Sequence, residues 1–151
     1  MTSPIAAILE TALYVDDLDA AERFYGGVLG LERISRAGDR HVFFRCGPGV
    51  LLIFNPDETI IPAPPDALPV PAHGARGPGH ACFRLEGDDF AALLKRLADH
   101  DIAIESDFRW PNGARSVYFR DPAGNSLECA EGRLWGCDDE VCVPPPFNLS
   151  P

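Results

Sequence analysis

Residues 8–32 read ILETALYVDDLDAAERFYGGVLGLE, and the order of apolar and turn-forming side chains in this stretch decides the fold. Ile8 to Val15 is rich in β-favouring residues and stops at Asp16-Asp17. An aspartate there caps a helix, because its carboxylate accepts a backbone N–H that the first helical turn leaves unpaired. Leu18, Ala21, Tyr25 and Val28 then recur at helical spacing, and Gly26-Gly27 and Gly30 end the pattern. Short strands are predicted next over 31–36, 41–46 and 50–54, with Gly38-Asp39 and Gly47-Pro48-Gly49 as the turns between them. The stretch therefore opens a β-α-β-β-β module.

Working outward, residues 55–79 break the pattern. They hold seven of the fifteen prolines and no sustained periodicity, which predicts a long, exposed connector. The order then restarts. A strand is predicted from His80 to Glu86, and Gly87-Asp88-Asp89 caps a helix with apolar positions Phe90, Leu93, Leu94 and Leu97. A weak strand over 102–106 and firmer ones over 116–120 and 126–130 follow, separated by turns at Pro111-Asn112-Gly113 and Asp121-Pro122-Ala123-Gly124. This is a second β-α-β-β-β module. The halves echo each other: Phe43-Phe44-Arg45 matches Tyr118-Phe119-Arg120, Gly49 matches Gly124, and Glu10 has His80 as its counterpart. An offset of about 70–75 residues reads as an internal duplication. We expect a single domain over 1–151, with modules 5–55 and 79–131, a proline-rich connector 56–78 and a C-terminal tail 132–151.

Composition narrows the function classes. With 13 basic against 23 acidic residues the net charge is -10, which argues against nucleic acid or an anionic membrane as partner. No apolar run approaches the ~18–20 residues of a membrane span. The start, MTSPIAAILE, has no basic region followed by a long apolar run, so a cytoplasmic protein is expected. Five cysteines without a CxxC spacing read as reduced thiols at Cys46, Cys82 and Cys129, while Cys137 and Cys142 in the tail are left open.

Period-2 alternation sorts each strand into two faces. One face is apolar and needs the amphipathic helices as cover. The other gathers Glu10 and Tyr14, His80 and Arg84, Tyr118 and Arg120, and Glu128. Glu10, His80 and Glu128 are metal-ligating types, and imidazole with carboxylates suits a borderline or hard divalent ion. Scattered as they are along the chain, they form no local motif, and solvated strand carboxylates are the alternative reading.

Three stretches carry a family likeness: ILETALYVDDLDAAERFYGGVLGLE at 8–32, GPGHACFRLEGDDFAALLKRL at 77–97 and SVYFRDPAGNSLECAE at 116–131. With them the chain resembles the vicinal oxygen chelate superfamily of glyoxalase I, bleomycin resistance proteins and extradiol dioxygenases. The resemblance implies an α+β fold of two βαβββ modules whose eight strands form an open curved sheet around a metal cavity, in a homodimer. It also implies metal ligands on the first, fourth, fifth and eighth strands. Glu10, His80 and Glu128 fall on the first, fifth and eighth, whereas Leu51-Leu52-Ile53-Phe54 puts hydrocarbon on the fourth. A three-ligand Glu/His/Glu site for Zn, Mn, Ni or Fe(II) is therefore expected.

In this superfamily the metal chelates two neighbouring oxygens of a small substrate and stabilises the oxyanion that develops. Glu10 is the candidate catalytic residue, as ligand or displaced base. Tyr14 and Tyr118 are candidate donors to a substrate oxygen, and Arg84 and Arg120 candidate clamps for an anion. His73, on the connector, is a candidate lid residue. His41 has inward parity but reads as a solvated strand histidine. The extra carboxylate favours lyase, isomerase or group-transfer chemistry over ring cleavage by a dioxygenase. The contrasting expectation is a metal-free protein that binds a drug or metabolite, with Phe43, Phe54, Trp110 and Trp135 as stacking surfaces.

Overall fold

The computed structural model describes residues 3–137. They contain eight strands in two four-stranded mixed sheets with the same topology, the α+β arrangement expected. By contacts the chain divides into two units: residues 1–79 with the turn 121–125, and residues 80–120 with 126–151.

In the first unit, β1 (Glu10–Tyr14) pairs parallel with β4 (Gly49–Phe54), which pairs antiparallel with β3 (His41–Cys46), and β3 with β2 (Glu32–Ala37). β4 reads GVLLIF without alternation, and Leu51, Leu52, Ile53 and Phe54 are all buried. Asp17 caps α1 (Leu18–Glu22) as expected, its carboxylate accepting from the Ala20 N–H at 2.9 Å. The helix then widens into a π turn over Arg23–Val28, closed by the bond from Leu29 N–H to the Phe24 carbonyl. That wider turn buries the consecutive Phe24 and Tyr25 together. The helix packs on β3 and β4.

The turn 121–125 is a polar staple of this unit. Asp121 is buried and accepts from the Tyr25 hydroxyl at 2.7 Å and from the Asn125 amide nitrogen of the side chain at 2.8 Å. Asn125, also buried, donates to the Tyr14 carbonyl and accepts from the Gly79 N–H. A Cβ on Gly79 would stand 3.1 Å from both Asn125 Oδ1 and Leu13 Cδ2.

In the second unit, β5 (His80–Arg84) pairs parallel with β8 (Ser126–Ala130), β8 antiparallel with β7 (Arg115–Arg120), and β7 with β6 (Ser106–Arg109). The helix α3 (Asp89–Asp99) buries Phe90, Leu93 and Leu97. Its N-cap, Asp88, makes no side-chain capping bond, so the cap expected from sequence is backbone only. The weak strand expected over 102–106 lies later, as β6. Residues 100–102 close the helix instead, with Asp101 at φ 56° and Ile102 N–H bonded to the Leu97 carbonyl.

The connector is not wholly irregular: α2 (Pro56–Thr59) opens it, capped by Asn55. The tail begins with a 3-10 turn over Gly132–Trp135, and its residues 138–151, including Cys142, lie outside the described residues. Cys46, Cys82 and Cys129 are free thiols. No described helix is long and apolar enough to cross a membrane.

Candidate functional site

Strand register turns the duplication into a position-by-position match. Glu10 and Arg45 flank Val50 in the first sheet, as His80 and Arg120 flank Ser126 in the second. Two residues on, Ala12 and Phe43 flank Leu52, while Cys82 and Tyr118 flank Glu128. At the next level, Tyr14 and His41 flank Phe54, while Arg84 and Ser116 flank Ala130. The echo of Phe43-Phe44-Arg45 and Tyr118-Phe119-Arg120 is thus a register match. Gly49 matches Asn125, one residue from the Gly124 expected, because Val50 takes the place of Ser126.

Glu128 sits at the centre of the polar face of the second unit and is buried. Its Oε1 accepts from the Ser116 hydroxyl at 2.5 Å, and Ser116 in turn accepts from the Trp110 indole N–H at 2.7 Å. Its Oε2 lies 3.5 Å from His80 Nε2. His80 Nδ1 stands 2.9 Å from the Ser126 carbonyl, which only accepts, so Nδ1 carries a hydrogen. In the neutral ring, Nε2 then presents a lone pair toward a carboxylate oxygen. Two acceptors facing each other need a proton or a cation between them. The pairing of a ligand imidazole with a backbone carbonyl on its far nitrogen is also how metal-binding histidines are oriented.

The neighbours of this pair are poised as donors. Burial first, and then the hydrogen bond to Glu128, push the Tyr118 hydroxyl up to about 12. Burial and the charge of Glu128 also push the Cys82 thiol upward, so it stays protonated. Tyr118 stacks nearly parallel to both His80 and Phe108, with ring centroids 6.2 and 5.9 Å apart.

The other candidates have different surroundings. Arg84 binds Glu86 at 2.7 Å and the Cys137 carbonyl at 2.9 Å, and Arg120 binds both oxygens of Glu105 at 3.0 Å. In the first unit, Glu10 begins β1 and is exposed, bordering a cleft of about 680 Å³. His73 lines the same cleft and packs on Phe54 with ring centroids 4.6 Å apart, and its Nδ1 lies 2.8 Å from the Tyr14 hydroxyl. His41 departs from its reading as a solvated histidine. Its ring stacks on Phe43 at 4.0 Å, its Nδ1 is buried, and burial with the nearby Arg40 charge holds its pKa below the usual imidazole range.

His80 and Glu128 are thus brought together inside one unit, while Glu10, Tyr14 and His73 belong to the other. Within each unit, among the described residues, no three His, Cys, Asp or Glu side chains group around a common point. The fourth-strand ligand is absent for a structural reason: Leu52 occupies in the first sheet the place Glu128 holds in the second. Ser116 is a site residue that the sequence does not single out, and Trp110, expected only as a stacking surface, is a hydrogen-bond donor to it. Alternation placed Ser116 on the Tyr118 face, but the Trp110 bond crosses the β6–β7 hairpin and has no sequence signal.

Comparison with known proteins bears on this arrangement. The family model of the Glyoxalase/Bleomycin resistance protein/Dioxygenase superfamily matches residues 7–129. Among solved structures, the lactoylglutathione lyase of Agrobacterium tumefaciens is 48% identical with a TM-score of 0.82, over 89% of this chain and 99% of that one. A glyoxalase/bleomycin resistance protein/dioxygenase from Nocardioides is 23% identical with a TM-score of 0.65, over 86% of this chain and 85% of that one, and shares the fold.

Proposed function

The chain belongs to the glyoxalase/bleomycin resistance protein/dioxygenase superfamily, and from that premise we propose that it is a metal-dependent lyase of a small, oxygen-rich thiol conjugate. The substrate class follows the name of the 48% identical relative, a lactoylglutathione lyase. The observation that carries the reading is the confrontation of His80 Nε2 with Glu128 Oε2 at 3.5 Å, each side chain fixed from behind by Ser126 and Ser116. One imidazole and one carboxylate fit a borderline divalent ion such as Zn, Mn, Ni or Fe(II). Glu10 is proposed as the third ligand or as the base, on its register match to His80 at the start of the equivalent strand.

A divalent ion held there supplies Lewis acidity toward two adjacent substrate oxygens. The chain supplies the rest. Ser116 holds the Glu128 carboxylate in one orientation. Tyr118 presents its hydroxyl as a donor beside that carboxylate. Arg84 and Arg120 are proposed to attract an anionic substrate while their carboxylate partners hold them in place. A homodimer completes the proposal, and light scattering at twice the chain mass checks it.

The test is elemental analysis of protein purified without chelator or nickel resin, followed by an assay of lactoylglutathione turnover. Near-stoichiometric metal in the wild type, lost together with activity in His80→Ala and Glu128→Gln, is the expected result. Wild-type protein that takes up none of Zn, Mn, Ni or Fe(II) overturns the reading.

A further inference from the structure

The turn 121–125 ends on a residue whose every hydrogen-bonding group is engaged. Asn125 is only 1% exposed. Its Nδ2 donates to the Tyr14 carbonyl at 3.0 Å and to Asp121 Oδ2 at 2.8 Å, and its Oδ1 accepts from the Gly79 N–H at 2.7 Å. Its backbone N–H donates to Asp121 Oδ1 at 2.8 Å, and its carbonyl accepts from the Asp121 N–H at 3.2 Å. The Tyr25 hydroxyl donates to the same Asp121 carboxylate at 2.7 Å. The Gly79 N–H needs an acceptor and the Tyr14 carbonyl needs a donor, so the amide of Asn125 has one orientation. A carboxylate of the same shape would serve Gly79 but not Tyr14, and an aliphatic side chain would serve neither.

The chain neighbours give this arrangement its consequence. Gly79 is followed by His80 and Asn125 by Ser126, and His80 and Ser126 open the parallel ladder of β5 and β8. The bond from Gly79 N–H to Asn125 Oδ1 is thus a rung made by a side chain, one residue ahead of the first backbone rung. On that first rung stands the bond that orients the imidazole, from His80 Nδ1 to the Ser126 carbonyl at 2.9 Å. A slip of one residue there would turn His80 to the opposite face of the sheet. The first module supplies the contrast. Val50 stands where Ser126 does, so Gly49 stands where Asn125 does and has no side chain to offer. The clamp belongs to the module that carries His80 and Glu128, and is missing where Leu52 replaces the carboxylate.

We propose that Asn125 is a positioning residue. Its side-chain bond to Gly79 fixes the register and ring orientation of His80, and with them the Nε2 lone pair that His80 offers to an ion. The consequence for the ion rests on the metal reading above, whereas the ring orientation is present in metal-free protein.

The test is the tautomer of His80, read from imidazole nitrogen shifts in chelator-treated, full-length protein at about pH 8, where an ordinary imidazole is neutral. A Zn(II) competition titration accompanies it. The wild type should carry the hydrogen on Nδ1. Asn125→Leu, similar in size but without the bonds, should show mixed tautomers and a Zn(II) affinity lowered about 10–100-fold, the usual worth of a partner that orients a ligand. Asn125→Asp keeps an acceptor for Gly79 and should keep the wild-type tautomer. Tyr25→Phe removes a buried hydrogen bond of the same network but leaves the Gly79 bond in place, so it should lower the urea midpoint and leave the tautomer unchanged. A wild-type tautomer in folded Asn125→Leu, or mixed tautomers in Tyr25→Phe, overturns the proposal. Where Asn125→Leu fails to fold, Asn125→Asp decides: the wild-type tautomer supports the proposal and a mixture overturns it. Wild-type protein that shows the expected tautomers but binds no Zn(II) counts against the metal reading and leaves the positioning role standing.

Discussion

In the proposed metal site, Ser116 acts at one remove from the ion. It donates to Glu128 at 2.5 Å and accepts from Trp110 at 2.7 Å, so a single hydroxyl sets the orientation of a buried carboxylate. Removing it in Ser116→Ala leaves Oε1 without that donor and the indole N–H without its acceptor. Partners of this kind are worth roughly 10–100-fold in metal affinity, and that is the loss expected in a competition titration. A shift in Trp110 emission on metal binding, present in the wild type and lost in Ser116→Ala, marks the positioning role. Unchanged affinity in a folded variant would show that Glu128 is oriented by something else. At this scale Glu10, His80 and Glu128 are visible in the sequence as metal-ligating types on alternating strand faces. Their partners are not, because a hydrogen bond across a hairpin depends on register that local letters do not encode.

Among the elements, the first helix shows best how a local rule meets packing. Asp17 caps it as its type predicts, yet the helix continues as a π turn so that Phe24 and Tyr25 can both be buried. Gly27 lies in that turn, and a Cβ there would meet nothing within 4 Å. Gly27→Ala should therefore stabilise the protein by about 0.5–1 kcal/mol, the ordinary helical difference between the two residues, as read from urea unfolding. The opposite is expected of Gly132→Ala. A Cβ there would fall 2.4 Å from the Cys137 carbonyl and 2.7 Å from Arg84 Cζ. Backbone cannot move aside as a side-chain tip can, so a loss of about 1–3 kcal/mol is expected, the usual cost of overpacking. A neutral outcome would mean that the 3-10 turn yields freely. β6 was misplaced in the sequence reading for a related reason: residues 102–105 look β-like, but the helix needs its closing turn before a strand can start.

For the molecule as a whole, acid is the informative stress. Hydrogen bonds from Arg36 hold the Glu22 carboxyl below its usual range, those from Arg115 do the same for Asp107, and the Arg115 backbone N–H does so for Glu131. A carboxyl with a lowered folded pKa takes up its proton first in the unfolded chain. The stability it contributes is complete above the ordinary carboxylate value of about 4 and is lost as pH falls through the lower folded values. The urea midpoint should thus hold between pH 7 and 5 and drop below pH 4. Arg115→Ala should be less stable at pH 7 and show a shallower acid slope, since it frees Asp107 while the backbone N–H at 115 still holds Glu131. A midpoint that rises on acidification would mean that relief of the net charge of -10 outweighs these pairs.

The sequence by itself determined the duplicated βαβββ order, the capping of the first helix, the polar strand faces and the types of residue that could ligate a metal. These are local matters of periodicity, turn chemistry and side-chain type, each legible within a dozen residues. Only the tertiary structure decided which of those residues meet. It joined His80 to Glu128 across β5 and β8, recruited Ser116 and Trp110 from a hairpin, and tied Arg84 and Arg120 into ion pairs. Among the described residues it also left His41 Nδ1 buried without a hydrogen-bond partner. Strand register does this work: it sets which side chains stand abreast, and it comes from backbone pairing between segments far apart in the chain.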